Sequence, residues 1–340
     1  MKGSVRARMD SLEHATDVLV VGAGMAGLIA AREVIRTGRS VTVLDKGRGV
    51  GGRLASRRID GAAFDHGAQG FTTGDPCHAA VGLLERLEGA VAEWNPTPTA
   101  RSGHVQWRGV PSMSGVAKHL ALGVPVQLEA TLTAVRPEAD HWVATTLDGR
   151  SVTAKAVILT PPVPQSLALL EAGHFPLAPA LRQRLNAIEY DRCLAVMAVL
   201  EGPSRIPPPG GTLLDTGPIA SITDNLLKGI SREPAVTLQA TPEFSLEHWD
   251  RDRMETGRLL LAAAAEWLGA GVRSYQVHGW RYSRPRVMDP EPCIVASSVP
   301  PLVLAGDAFG QGGVEGAALS GFEAAKTILT LSPNHLDSIQ

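Results

Sequence analysis

Residues 17–45 read DVLVVGAGMAGLIAAREVIRTGRSVTVLD, and three patterns follow one another within them. DVLVV is a short β-branched run of the fully buried kind. MAGLIAAREVIRTG places its apolar residues at helical spacing and stops at Gly38, and SVTVLD is a second strand-like run. Strand, helix and strand within about 30 residues make a right-handed crossover, which belongs to a parallel sheet.

Gly22, Gly24 and Gly27 stand between the first strand and the helix as G-x-G-x-x-G. The first glycine allows the tight turn, the second lets backbone approach a pyrophosphate, and the third lets the helix pack on the strand. Met25 and Ala26 open the helix, where backbone amides and the helix dipole favour phosphate. Asp45 ends the next strand about 20 residues on, where a carboxylate takes the ribose hydroxyls of an adenosine, with Lys46 solvated beside it. The expected fold class is α/β with a Rossmann-like dinucleotide-binding domain.

The next stretch, GRGVGGRLASRRIDGAAFDHGAQGFT (47–72), carries more glycine than a structural connection needs. Gly51 and Gly52 are placed to give amides to the pyrophosphate and Arg53 to neutralise it, a solvated surface charge being the other reading of Arg53. His66, Gly67, Ala68 and Gln69 continue the segment, with His66 and Gln69 beside the ring of the ligand or, for His66, in a structural hydrogen bond. Near the other end, PLVLAGDAFGQGGVEGAALSGFEAAKTIL (301–329) repeats the logic of strand, glycine turn and helix, so the chain returns to its first domain. This combination resembles the flavoproteins of the glutathione reductase type. The resemblance implies that Asp307, after Gly306, holds the ribityl chain or pyrophosphate of FAD; capping the following helix is the alternative. That helix begins at Gly313, Val314, Glu315 and Ala317, and its positive end would face the flavin N1 and C2 carbonyl.

VVGAGMAG, GVGGRLASRR, FDHGAQGFT, LQATPEFSLEHW, GWRYSRP and AGDAFGQGGVEGAALSG together cover both ends of the chain and much of its middle. Through them the chain resembles the renalase-like branch of the flavin-containing amine oxidase superfamily. The resemblance implies noncovalent FAD and a two-domain fold in which a mixed sheet roofs the flavin. Members usually carry a tyrosine after the glutamine of DHGAQ, and Gly70 stands there instead. No cysteine or histidine falls in the Gly306–Gly321 segment, which agrees with a cofactor bound without a covalent link.

The remaining patterns divide the chain. Strands are expected near Val126–Val135, His141–Thr146 and Ser151–Thr160, as a meander inserted into the first domain, after which the prolines of TPPVPQ (160–165) break the chain. CLAVMAVLE, ASITDNLL and AVTLQATP read as strands of a second sheet, RDRMETGRLLLAAAAEWLG as a helix, and SYQVHGWRYSRP as a strand leading back. The expected organisation is a discontinuous FAD-binding domain at 16–75, 103–162 and 286–334, a substrate domain at 76–102 and 163–285, and a disordered extension at 1–15. His278, Trp280 and Tyr282 alternate on one face of the returning strand, so they line the pocket or pack in the core.

With 44% hydrophobic and 19% charged residues and a net charge of −2, the chain has no bias toward nucleic acid or acidic membranes, and its expected partner is a small molecule. Cys77, Cys193 and Cys293 lie far apart, without metal spacing and too few for a disulfide framework, which fits a reducing cytoplasm. No metal site, membrane span or Ser-His-Asp arrangement stands out. The expected function is an FAD-dependent oxidoreductase, with Gln69, Trp280 and Tyr282 as candidate catalytic residues. The renalase-like resemblance implies a dihydronicotinamide substrate, NAD(P)H or its isomers, with O2 reoxidising the flavin to give H2O2. An amine oxidase or desaturase is the enzymatic alternative, and a flavin-binding redox sensor the non-enzymatic one. Only 6 Phe, 6 Trp and 3 Tyr are available for the aromatic cage that an amine often needs.

Overall fold

In the computed structural model, described over residues 15–72, 82–96 and 105–332, the opening run becomes strand β1 (Ala15–Val21) and SVTVLD becomes β2 (Val41–Leu44). They pair in parallel, joined by the helix Met25–Arg36. Val18 and Val20 point into one core and Leu19 and Val21 into another, so β1 is covered on both faces, as a parallel sheet requires.

Two small sheets follow: the hairpin of β3 (Ser56–Ile59) and β4 (Ala62–Asp65), then a sheet of β5 (Phe71–Thr72), β6 (Val91–Glu93) and β7 (Gln106–Gly109). The large sheet is completed by β8 (Val126–Gln127), β9 (Leu132–Glu138), β10 (His141–Thr146), β11 (Ser151–Leu159), β17 (Ile294–Ser298) and β18 (Pro301–Leu304). The long β11 uses one edge twice, antiparallel to β10 in its first half and parallel to β18 in its last three residues. The strand expected over Val126–Val135 is two strands. β8 pairs with β2, β9 pairs with β10, and the chain turns between them, where Glu129 and Ala130 bond back to Gly47 and Asp45.

The second sheet comprises β12 (Glu189–Leu200), β13 (Gly211–Leu213), β14 (Ile219–Asp224), β15 (Ala235–Ala240) and β16 (Val272–Val287). The expected α/β class stands, with one correction: this sheet is antiparallel throughout instead of mixed. None of its neighbouring strands is joined by the crossover that a parallel pair needs. One face of β12, with Leu194, Val196 and Ala198, packs against Leu260, Leu261 and Trp249. The other, with Met197 and Val199, packs on Ile59, Ala62 and Phe64 of the β3–β4 hairpin, which sits under the second sheet.

Pro162 does not merely break the chain; it precedes the helix Val163–Ala172, which already has the proline-fixed first turn that helices accept. Val163, Leu170, Leu177, Leu185 and Ile188 share the core of the large sheet. We propose on that packing that the second domain begins near residue 189 rather than at 163. The expected helix at 251–269 starts at Arg253, where Asp252 caps the Glu255 amide, and is interrupted at Ala264. The expected extension over 1–15, apart from Ala15 in β1, and Cys77 lie outside the described residues.

Candidate cofactor and active site

Three glycine turns meet where β1 ends. A Cβ on Gly27 would lie 1.9 Å from the Gly22 carbonyl oxygen, so helix and turn touch through backbone alone. A Cβ on Gly24 would meet nothing within 4 Å. The helix that Gly24 opens has no side-chain cap and no acid in its first turn, so the dipole and amides at Met25 and Ala26 face that open side uncompensated. Gly51 donates to the Ala23 carbonyl at 2.7 Å, which brings the second turn against the first, with the Cβ position of Gly52 3.9 Å from Gly24 Cα. Asp45 closes this cradle: its Oδ2 accepts from the Ala23 amide and its Oδ1 from the Gly47 amide, both at 2.6 Å. Each oxygen keeps a further lone pair for a diol. Lys46 reaches the Gln165 side chain at 3.2 Å.

The third turn is the late one. Gly306, at φ 140°, donates its amide to Ser320 Oγ at 2.8 Å, and Asp307 receives both guanidinium nitrogens of Arg53, at 2.5 and 2.7 Å. Arg53 also reaches the Ser283 carbonyl on β16, at 3.3 Å. Two residues expected to serve the cofactor separately are thus brought together as an ion pair. The helix Gly313–Leu331 begins without a side-chain cap. Glu315 in its first turn is spent on Thr72, accepting from both the backbone amide and the hydroxyl, while Val314 and Ala317 pack into the core.

The wall beside the cradle is Asp65–Gln69. Asp65 is fully buried; its carboxylate accepts from Ser56 Oγ at 2.6 Å, the Met113 amide at 3.0 Å and Lys228 Nζ at 2.8 Å. Gln69 donates both amide hydrogens backward, to the Asp65 and Gly67 carbonyls, and its oxygen accepts from Lys228. The Gln69 carboxamide therefore clips the wall, with one oxygen lone pair left for a ligand. Ala68 donates to the Arg53 carbonyl at 2.9 Å, and a Cβ on Gly67 would fall 2.1 Å from that same oxygen.

β16 supplies the roof. Trp280 donates its indole N–H to the His66 carbonyl at 2.7 Å and stacks on the His66 ring at 5.3 Å, with His278 edge-on to both. Burial, then the charges of His278 and Arg57, pull His66 down to about 3, and the same forces from burial, Arg57 and Arg253 lower His278. His66 is thus a neutral ring whose buried Nδ1 has no partner among the described residues. Tyr282 turns instead to Tyr190, at 5.4 Å. Burial pushes Tyr190 up to about 12, and its hydroxyl accepts from the Val163 amide. At Gly70 a Cβ would lie 2.6 Å from the Trp107 carbonyl oxygen and 3.5 Å from Trp94, so Trp94 and the β7 backbone fill the space of a side chain there.

Lys228, Tyr190 and Trp94 were not singled out in the sequence. Nothing local in TDNLLKG says that its lysine is the buried one, because the signal is the fold's, not the segment's. Cys193 is buried, its thiol pushed up to about 11 by burial, and is 3.8 Å from the Ala240 carbonyl. No helix among the described residues is long and apolar enough to cross a membrane.

These features fit an FAD. The uncapped, acid-free helix start at Met25 and the backbone-only turns beside it suit its phosphates, the uncapped start at Gly313 its ring, and Asp45 its adenosine ribose, while the partnerless His66 nitrogen shows a wall that is short of one polar partner.

Comparison with known proteins agrees. The family described as flavin containing amine oxidoreductase matches residues 100–329, and that described as NAD(P)-binding Rossmann-like domain matches residues 20–87. A protein of Mycobacterium tuberculosis that carries the name of a flavin-containing monoamine oxidase by assignment is 42% identical over 95 residues, which are 27% of this chain and 19% of that protein, so the match spans about a fifth of that relative. Mouse renalase is 25% identical over 340 residues, covering 92% of this chain and 98% of its own. Wild-type putrescine oxidase with bound putrescine superposes with a TM-score of 0.71 at 17% identity, over 93% of this chain and 99% of that one.

Proposed function

The chain belongs to the flavin containing amine oxidoreductase family, with FAD its expected cofactor, and from that premise we propose that it is an FAD-dependent oxidase of a dihydronicotinamide, NAD(P)H or an isomer of it. The observation that carries the choice of substrate is the charge around the roof. Burial first, then the charges of His278 and Arg57 for His66 and of Arg57 and Arg253 for His278, disfavour protonation of those rings. Burial and the arginines together disfavour an ammonium substrate there, and the arginine charges favour a phosphate-bearing one. Renalase likeness along nearly the whole chain supports the same reading.

In this proposal Asp45 takes the adenosine ribose, and the Met25, Ala26, Gly51 and Gly52 amides take the pyrophosphate. Arg53 and Asp307 share the polar chain between pyrophosphate and ring. FAD, noncovalently bound, supplies a two-electron acceptor, and O2 is the final oxidant, giving H2O2. The protein's own part is positioning: Gly67 and Trp280 shape a surface for a flat substrate, the neutral His66 adds no charge of its own beside it, and the second sheet excludes water above it. Amine oxidation, as in putrescine oxidase, is the competing activity, and Trp280, Tyr282 and Tyr190 are the aromatic faces it would use.

The deciding experiment mixes the protein anaerobically with NADH, NADPH, their 2- and 6-dihydro isomers and a series of amines while following flavin absorbance at about 450 nm. A dihydronicotinamide is expected to bleach it fastest, with peroxide released when air is admitted. Faster bleaching by an amine overturns the proposal, and no bleaching by any substrate would return the protein to a redox-sensing role.

A further inference from the structure

We infer that Lys228 is a positioning residue of the cofactor site, acting through Gln69 to hold the Asp65–Gln69 wall in shape. Its side chain is wholly buried, and all three ammonium hydrogens have a place: Asp65 Oδ2 at 2.8 Å, Gln69 Oε1 at 3.2 Å and the face of Trp94, 4.7 Å from the ring centroid. The loop after β14 is built to deliver it. Asp224 Oδ1 accepts from the Leu226 and Leu227 amides and its carbonyl accepts from the Lys228 amide, which turns the chain and sends the lysine inward.

Stability alone does not account for a cation there. Asp65 is already satisfied on its other oxygen by Ser56 and Met113, and a buried ion pair is commonly no more stabilising than apolar residues of the same volume. What the ammonium adds is direction. By accepting from Lys228, the Gln69 oxygen fixes which way its carboxamide faces, so that its N–H groups must go to the Asp65 and Gly67 carbonyls. Thr237 and Gln239 of β15 donate to the same two carbonyls, at 3.0 and 2.8 Å. The wall therefore spends its carbonyl oxygens on the second sheet, and Lys228 is the charged member of that set. The second sheet is in this way tied to the wall of the cofactor cradle.

The inference rests on FAD as the cofactor and on no particular substrate, so its test uses FAD binding. Lys228→Met, Gln69→Ala and the double variant would be prepared as apoprotein and titrated with FAD, recording affinity and the visible spectrum of the bound flavin. Each single change is expected to weaken FAD binding about tenfold and to shift the spectrum alike, and the double change to cost little more than either alone. Independent, multiplying losses overturn the inference. If Lys228→Met leaves Asp65 stranded and the protein unfolded, Lys228→Met with Asp65→Asn decides. Weakened binding and a shifted spectrum in a folded protein support the positioning role, and wild-type binding and spectrum refute it. Failure of NAD(P)H to reduce the flavin would not touch either outcome.

Discussion

Arg53 and Asp307 stand 254 positions apart in the chain and meet as a two-point ion pair, Nη1 to Oδ2 at 2.5 Å and Nη2 to Oδ1 at 2.7 Å. Asp307 keeps 12% and Arg53 28% of its side-chain exposure, so the pair is screened only in part. Asp307→Asn keeps the shape and halves the pairing. A cycle of Arg53→Met and Asp307→Asn, read by urea unfolding of the apoprotein, should give a coupling energy of roughly 1 to 3 kcal/mol, above that of an exposed pair. A coupling near zero would leave the two residues as independent ligands of the cofactor.

Gly24 and Gly27 separate binding from folding. Gly24→Val should fold with near wild-type stability, since its Cβ direction is open and its φ is −82°, yet purify without flavin because the side chain stands where phosphate must approach. Gly27→Val drives a carbon into the Gly22 carbonyl and should lose several kcal/mol or fail to fold. Flavin content and melting temperature of the pair check both halves. A yellow Gly24→Val protein would place the cofactor elsewhere.

The local part of this site was legible in the sequence because its parts are local. Gly22 to Gly27 and Asp45 lie within one crossover, and their spacing alone predicts a turn, a helix start and a carboxylate at a strand end. The meander of β9 to β11 was legible for the same reason, a turn between two alternating runs. What was not legible depends on distant pairings. Lys228 looks like any loop lysine until β14 and β15 place it over Asp65, and the packing of Val163 to Ile188 in the core of the large sheet, on which we propose a later domain boundary, leaves no mark in the proline-rich stretch before it. Gly70 could be noticed as a missing tyrosine, but that Trp94 closes the gap required the contact itself.

His66 gives the folded apoprotein a pH dependence with a definite sign. Its folded value, about 3, lies below the ordinary 6.5, so the unfolded chain binds the proton first, and stability present above pH 6.5 is lost as pH falls toward 3. His278 adds to the loss in the same direction. Unfolding of wild type should lose on the order of 2 kcal/mol between pH 7 and 5 from this source. His66→Phe keeps a flat ring against Trp280 without the proton, and its curve should be flatter over that range. Parallel curves would mean that His66 titrates normally.

Trp280 and Tyr282, two positions apart on β16, should not behave alike. A Cβ on Gly67 would be 3.3 Å from Trp280 Cζ2, and the indole N–H holds the His66 carbonyl, so Trp280 is bound to the wall itself, whereas Tyr282 meets Tyr190. Tyr282→Ala should leave FAD content and spectrum near wild type and slow anaerobic reduction a few-fold, as expected from losing an aromatic contact worth roughly 0.5 to 1.5 kcal/mol. Trp280→Ala should do more, because it also frees the His66 carbonyl and loosens the surface against which the substrate is aligned. A reduction rate lower by about a hundredfold would reflect that misplacement. Trp280→Phe retains the ring but not the hydrogen bond and should fall between. If stopped-flow traces show Tyr282→Ala as the slower enzyme, the reacting face lies toward Tyr190 and not toward Gly67, and the roles proposed for the two aromatics exchange.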